Sequence, residues 1–216
     1  MIISVHVPKC AGTSFKSVLK GVFGERLWDN YGTIFNREQA RAGLIPAGTA
    51  CIHGHFLADS FDALFPGSPT ITFVRHPVER VVSHYQFFLR HPDPRDDCCR
   101  AVHERSLTLR EFAELEWMQN QSTRYFQGRD VADFAFVGIS ERFAESLCLL
   151  EDALGCRVFA PEVRKNSNPD RTQPFYGLSP YDYAFILERN EADFAWYEDA
   201  LDRHEEKICD TVLCVA

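Results

Sequence analysis

The chain opens on an apolar run, Ile2–Val7, that stops at Pro8 and is followed at once by Lys9. Downstream the apolar positions change period. Phe15, Val18, Leu19, Val22 and Phe23 fall at i, i+3, i+4, i+7 and i+8, one face of a helix. The pattern therefore predicts strand, tight loop and helix in succession. Residues 24–48 show no sustained period and read as irregular. A short run at Thr49–His53, ending at Gly54, predicts a second strand, and the β-branched run Thr70–Val74 a third. Pro77 suits the first position of a helix, whose apolar residues would be Val78, Val81, Val82, Tyr85, Phe88 and Leu89. Residues 91–107 read as an exposed loop, Leu109–Met118 as a helix, Phe134–Ile139 as a fourth strand and Glu141–Leu154 as a helix. Pro161, Pro169, Pro174, Gly177 and Pro180 mark a long loop over 160–180. The segment from Tyr181 to about Ile208 is helical, broken near Asn190. Strands alternating with helices predict an α/β fold: three α/β/α layers around a central parallel sheet of four to five strands, in one domain spanning 1–216.

Composition narrows the class. At 216 residues, 45% hydrophobic and 25% charged, the chain suits a globular protein with a full core. No apolar run approaches the length of a membrane span. No basic segment leads into a long apolar stretch, so a signal peptide is not expected and the cytoplasm is the expected location. The eight cysteines include no C-x-x-C pair and read as free thiols. Net charge is −8, but residues 1–50 carry six Lys/Arg against three Asp/Glu, and residues 151–216 seven against fourteen. An acidic body with a local basic pocket suits a small anionic ligand and argues against nucleic acid.

Two segments carry candidate chemistry. In Lys9-Cys10-Ala11-Gly12-Thr13-Ser14-Phe15, a loop between strand and helix aims backbone N–H groups at an anion. Lys9 precedes Gly12, whereas G-x-x-x-x-G-K-[ST] places its lysine after the glycine. In Arg75-His76-Pro77-Val78-Glu79-Arg80-Val81-Val82-Ser83, Arg75 lies at a strand's carboxyl end, where open α/β folds bind ligands. Arg75 and Ser83 would make a donor pair for a phosphate monoester. The bland alternative makes Arg75 and Arg80 helix-surface charges and Ser83 a plain helix residue.

Together the two segments resemble the phosphate-binding motifs of sulfotransferases that use 3′-phosphoadenosine 5′-phosphosulfate (PAPS). His53-Gly54-His55, Val137-Gly138-Ile139-Ser140-Glu141 and Arg164-Lys165-Asn166-Ser167-Asn168 extend the likeness over roughly residues 2–170. In order and spacing it is most similar to the carbohydrate branch that includes heparan sulfate and uronyl 2-O-sulfotransferases. The resemblance implies a P-loop NTPase-like sulfotransferase fold and PAPS as sulfuryl donor, with no metal. It implies that Lys9 meets the oxygen bridging phosphate and sulfate, and that the backbone of Ala11–Phe15 holds the 5′-phosphate, Cys10 facing the loop through its own backbone. Arg75, Ser83 and Lys165 would hold the 3′-phosphate. Cys10 stands where threonine is frequent in that family, and His76 where aspartate is.

An acceptor hydroxyl needs a base, and a neutral imidazole suits the task. His53 and His55 are two apart and share a strand face. The resemblance favours His55 as base with His53 in support. Simple capping of a strand, or Glu79 or Glu141 as base, are alternatives. His6, His84, His91, His103 and His204 read as core-edge or surface residues. Aromatic residues, among them Phe56, Trp117, Tyr125, Phe126, Phe175 and Tyr176, are candidates for an adenine or sugar pocket. The expected partner is a small-molecule or glycan acceptor, a carbohydrate or glycosylated metabolite. A P-loop small-molecule kinase and a non-catalytic nucleotide-binding protein are the rival readings. Oligomeric state is not readable from the sequence.

Overall fold

The computed structural model describes residues 1–158 and 176–213. Five strands form one parallel sheet: β1 (Ile2–His6), β2 (Leu27–Tyr31), β3 (Cys51–His55), β4 (Thr70–Val74) and β5 (Phe136–Ile139), in the order β2-β3-β1-β4-β5. Registers such as Val5 with Gly54, His6 with Phe73 and Tyr31 with His55 align their carboxyl ends. Among the described residues, eight α-helices accompany the sheet: α1 (Gly12–Phe23), α2 (Pro77–Arg90), α3 (Asp97–Glu104), α4 (Leu109–Glu114), α5 (Gln121–Phe126), α6 (Phe143–Leu154), α7 (Pro180–Glu188) and α8 (Glu191–Leu213).

The strands are near-continuous apolar runs because a parallel sheet is covered on both faces. Ile3, Val5, Ile52, Ile71, Phe73, Phe136 and Ile139 pack with Phe15, Val18 and Leu19 of α1, Leu147 and Leu150 of α6 and Tyr197 of α8. A second cluster joins Val78, Val81 and Phe88 of α2 to Val102, Phe112 and Ile186 from α3, α4 and α7.

The two are joined by Arg80, which is 0% exposed. Its guanidinium donates to Gln121 Oε1 at 2.7 Å, to the Met118 carbonyl at 2.8 Å and to Asn190 Oδ1 at 3.2 Å, with Asp193 Oδ2 3.8 Å away. Asp193 also accepts from the Ser122 and Thr123 backbone N–H groups at the start of α5. Arg80 thus ties α2, α5 and α8 together and is neither a surface charge nor open to a ligand.

Three expectations are corrected. Residues 24–48 contain β2, an edge strand whose Asp29 and Tyr31 are exposed, so its apolar signal is thin. The expected loop 91–107 contains α3, capped by Asp96, whose carboxylate accepts from the Cys98 and Cys99 N–H groups. The helix expected over Leu109–Met118 stops at Glu114, and a 3-10 turn covers Glu116–Met118. The break near Asn190 is present between α7 and α8. The loop expected over 160–180 lies mostly outside the described residues.

Candidate active site

The chain crosses from one side of β1 to the other between β3 and β4, so these three neighbouring strands open a crevice at their carboxyl ends. β1 delivers the Lys9 loop, β3 delivers His53 and His55, and β4 delivers Arg75.

The loop turns through two left-handed residues, Lys9 (φ 70°) and Ala11 (φ 54°), a conformation costing roughly 1–2 kcal/mol per non-glycine residue. Ala11 precedes α1 and offers no capping side chain, and the first turn of α1 holds no acidic residue. A helix start without its own cap or carboxylate suits an external anion. The Cys10 N–H donates to the Val7 carbonyl at 3.3 Å and the Phe15 N–H to the Ala11 carbonyl at 2.9 Å. Those two amides are therefore engaged within the loop and helix themselves. The Cys10 side chain is buried, and burial pushes its thiol up to about 12, which makes it unreactive. Gly12 is required sterically: a Cβ there would collide with the His6 ring.

The Lys9 ammonium lies 3.9 Å from the centre of the Phe87 ring. Burial, helped by the charges of Arg75 and Arg90, lowers its pKa to about 8. Phe87 is four residues beyond the half-buried Ser83, so the two share a face of α2 and place Ser83 near this loop. Arg75 pairs with Glu79 at 3.2 Å and faces Glu141 at 3.8 Å, and its Nη1 reaches the Lys9 carbonyl at 3.5 Å. Burial raises the Glu141 carboxyl above its usual range. Glu79 also accepts the Tyr176 N–H at 2.7 Å. Sequence reasoning gave Arg75 no such carboxylate partners. Lys165 lies outside the described residues.

The histidines form a stack. The His6 ring lies 4.5 Å from that of His55 and 5.4 Å from that of His53, near-parallel to both. His53 is 0% exposed and bonds the Ser4 hydroxyl at 2.9 Å, and burial first of all drives its pKa down to about 3. It is a neutral support, out of reach of a substrate. His55 Nδ1 lies 2.8 Å from the His6 carbonyl oxygen. A carbonyl only accepts, so Nδ1 carries the proton and Nε2 holds the lone pair. Burial lowers the His55 pKa, the main opposing effect being this bond. His6, expected at the core edge or surface, is the centre of the stack. Its Nδ1 meets the Tyr31 hydroxyl at 3.0 Å, and Tyr31 packs edge-on to His55 at 4.9 Å. His84, given the same expectation, is buried against Phe88 and Phe112. The period of β1 gave no sign of His6's role. The register of β1 with β3 supplies it.

The fold and site define an open α/β protein with an uncapped helix start and a lysine loop beside a tautomer-fixed histidine. A family model described as "Sulfotransferase family" matches residues 1–198, and the chain belongs to that family. A comparison with curated proteins finds no match. Among solved structures, the chain is similar to the mouse sulfotransferase SULT7A1 complexed with PAP, at 14% identity and a TM-score of 0.49. That similarity covers 73% of this chain and 60% of the mouse chain. It is also similar to a sulfotransferase from Alicyclobacillus acidocaldarius, at 13% identity and a TM-score of 0.44, over 90% of this chain and 95% of that one.

Proposed function

We propose that the protein is an enzyme that transfers a sulfuryl group from PAPS to the hydroxyl of a small-molecule acceptor. The observation that carries this reading is the His55–His6 bond, which leaves the imidazole lone pair at the crevice where the Lys9 loop also ends. The donor set fits the donor: an uncapped helix start and Lys9 for one anionic group, Arg75 and Ser83 for another.

PAPS supplies a sulfuryl group on a phosphosulfate anhydride. His55 Nε2 takes the acceptor's hydroxyl proton as the new O–S bond forms and the bridging O–S bond breaks. The electron pair of the broken bond stays on the bridging oxygen. Lys9 and the α1 N-terminus are fixed in advance where that charge develops, so they stabilise it without reorganising. Arg75 must give up part of its pairing with Glu79 and Glu141 to hold a second phosphate, which makes those carboxylates a brake on donor binding.

A thermal-shift comparison tests the donor. Adenosine 3′,5′-bisphosphate is expected to raise Tm and ATP with Mg²⁺ to leave it unchanged, since a ligand of the native state alone stabilises it. The reverse result returns the protein to the kinase reading.

A further inference from the structure

Resting on the sulfotransferase reading, we propose that Phe87 is a positioning residue for sulfuryl transfer: the face of its ring holds the Lys9 ammonium at the crevice where the bridging oxygen of the donor arrives. The ammonium lies 3.9 Å from the ring centre. Among the described residues, Lys9 Nζ makes no ion pair and no hydrogen bond, so the ring is its defined support.

Lys9 needs such a support. Its ammonium is a compact charge on a flexible four-carbon stem, and a cation stabilises developing charge most when it is fixed beforehand. A carboxylate would also fix it, but would cancel the charge that the donor has to meet. Arg75 shows that alternative: Glu79 at 3.2 Å and Glu141 at 3.8 Å hold it, and a phosphate must displace them in part. An aromatic face attracts a cation through its quadrupole and brings no net charge. Held this way, the ammonium keeps its N–H donors for an anion.

The ring is placed by rigid structure. Phe87 sits on α2, whose Val81, Val82 and Phe88 are buried in the second cluster. The Phe87 carbonyl accepts from the His91 N–H at 2.9 Å and from His91 Nδ1 at 3.1 Å, and the Phe88 carbonyl accepts from His103 Nε2 at 2.8 Å. The His91 ring stacks on that of Phe87 at 4.5 Å. Across from it, the Lys9 backbone is turned through φ 70°, its carbonyl 3.5 Å from Arg75 Nη1. Both partners are set before a ligand arrives.

The surroundings give this contact its weight. Arg75 at the end of β4 and Arg90 at the end of α2 both repel the ammonium. Cys10 in its own loop, His6 on β1, His55 on β3 and His84 on α2 are held neutral by burial near pH 7. None of them supplies a counter-charge, and burial also disfavours the charged lysine, so the attraction of the ring is what opposes these effects.

The test is a lysine ¹³C NMR titration of wild type, Phe87→Leu and Phe87→Tyr, with Lys9→Arg identifying the Lys9 signal among the five lysines of the chain. Beside it, calorimetry measures the Kd of adenosine 3′,5′-bisphosphate, which keeps the bridging oxygen, between pH 7 and pH 9. Leucine preserves apolar bulk and removes the aromatic face. The Lys9 pKa is expected near 8 in wild type, lower by about 0.5–1 in Phe87→Leu, and restored in Phe87→Tyr. The alkaline weakening of bisphosphate binding should move down with it, leaving Kd at pH 8 about two- to fivefold weaker in Phe87→Leu. A Lys9 pKa unchanged or raised in Phe87→Leu, or not restored in Phe87→Tyr, overturns the proposal, as does a bisphosphate profile indifferent to Phe87→Leu. If wild type binds no bisphosphate, the donor reading has failed. The NMR titration then decides by itself whether Phe87 holds Lys9: the fall and its restoration support the contact, and their absence overturns it.

Discussion

Lys9 and His55 reach the same crevice from adjacent strands and are tuned in complementary ways. The charge of Lys9 helps lower the His55 pKa, while burial and two arginines bring Lys9 itself down to about 8. One group must be neutral to accept a proton and the other charged to meet an anion. Near neutral pH both conditions hold.

The pH profile of kcat/KM follows from these directions. The acid limb reports His55 gaining a proton and is expected below about 6.5, the usual histidine value. The alkaline limb reports Lys9 losing one and is expected near pH 8. Lys9→Arg carries a charge that does not titrate, so its alkaline limb should vanish. An alkaline limb unchanged in that variant assigns it to another group.

His55→Ala removes the proton acceptor but no donor contact. Turnover is expected to fall about 10²- to 10⁴-fold with the bisphosphate Kd held. Near-wild-type kcat at saturating substrate would show that the base lies elsewhere.

Gly12→Ala should drive a methyl group into the His6 ring and displace the loop. Loss of bisphosphate binding is expected, measured by calorimetry. His6→Ala in the same chain should recover part of it by making room, a non-additivity that a double-mutant cycle reads directly. Additive losses would mean that the two residues do not press on each other.

Asp193→Ala leaves Arg80 charged, buried and short of its counter-charge. Removing one partner of a buried pair costs about 3–5 kcal/mol, so a large fall in urea midpoint is expected. A change within experimental error would mean that Gln121, Met118 and Asn190 alone satisfy the guanidinium.

Stability should also depend on the neutral histidines. The folded pKa of His53 is depressed to about 3, so between about pH 6.5 and pH 3 the unfolded chain binds the extra proton. Its contribution is full above pH 6.5 and falls as pH drops, by about 2 kcal/mol at pH 5. Urea midpoints at pH 7.5 and pH 5 check this, with His53→Gln expected to reduce the difference by its share, the other buried histidines, His6 and His84 among them, keeping theirs.

The sequence was most readable where chemistry and periodicity coincide. The switch of period after Lys9 marked the β1 loop, and the β-branched run Thr70–Val74 placed Arg75 at a strand end. β2 escaped because an edge strand of five residues, with Asp29 and Asn30 at its centre, carries little apolar signal. With β2 hidden, Tyr31 had no address, and His6 had no visible neighbour. The carboxylates facing Arg75 were hidden for a different reason. Glu79 and Glu141 read only as alternative bases, not as partners of Arg75, until the start of α2 is set against β4. Arg80 was lost similarly, since its partners lie as far as 110 residues away in sequence.

The ring stack also has a folding consequence. Tyr31, His6 and His55 come from three neighbouring strands, the first two 25 positions apart in sequence and the last two 49. No local segment assembles any part of it. A slip of one residue between β1 and β3 would turn both His53 and His55 to the opposite face and empty the crevice of its base. A mispaired but compact chain would then retain its helices and lack turnover entirely. Recovery of enzymatic rate during refolding should accordingly lag behind recovery of helical circular dichroism, reporting the moment the central strands find their register.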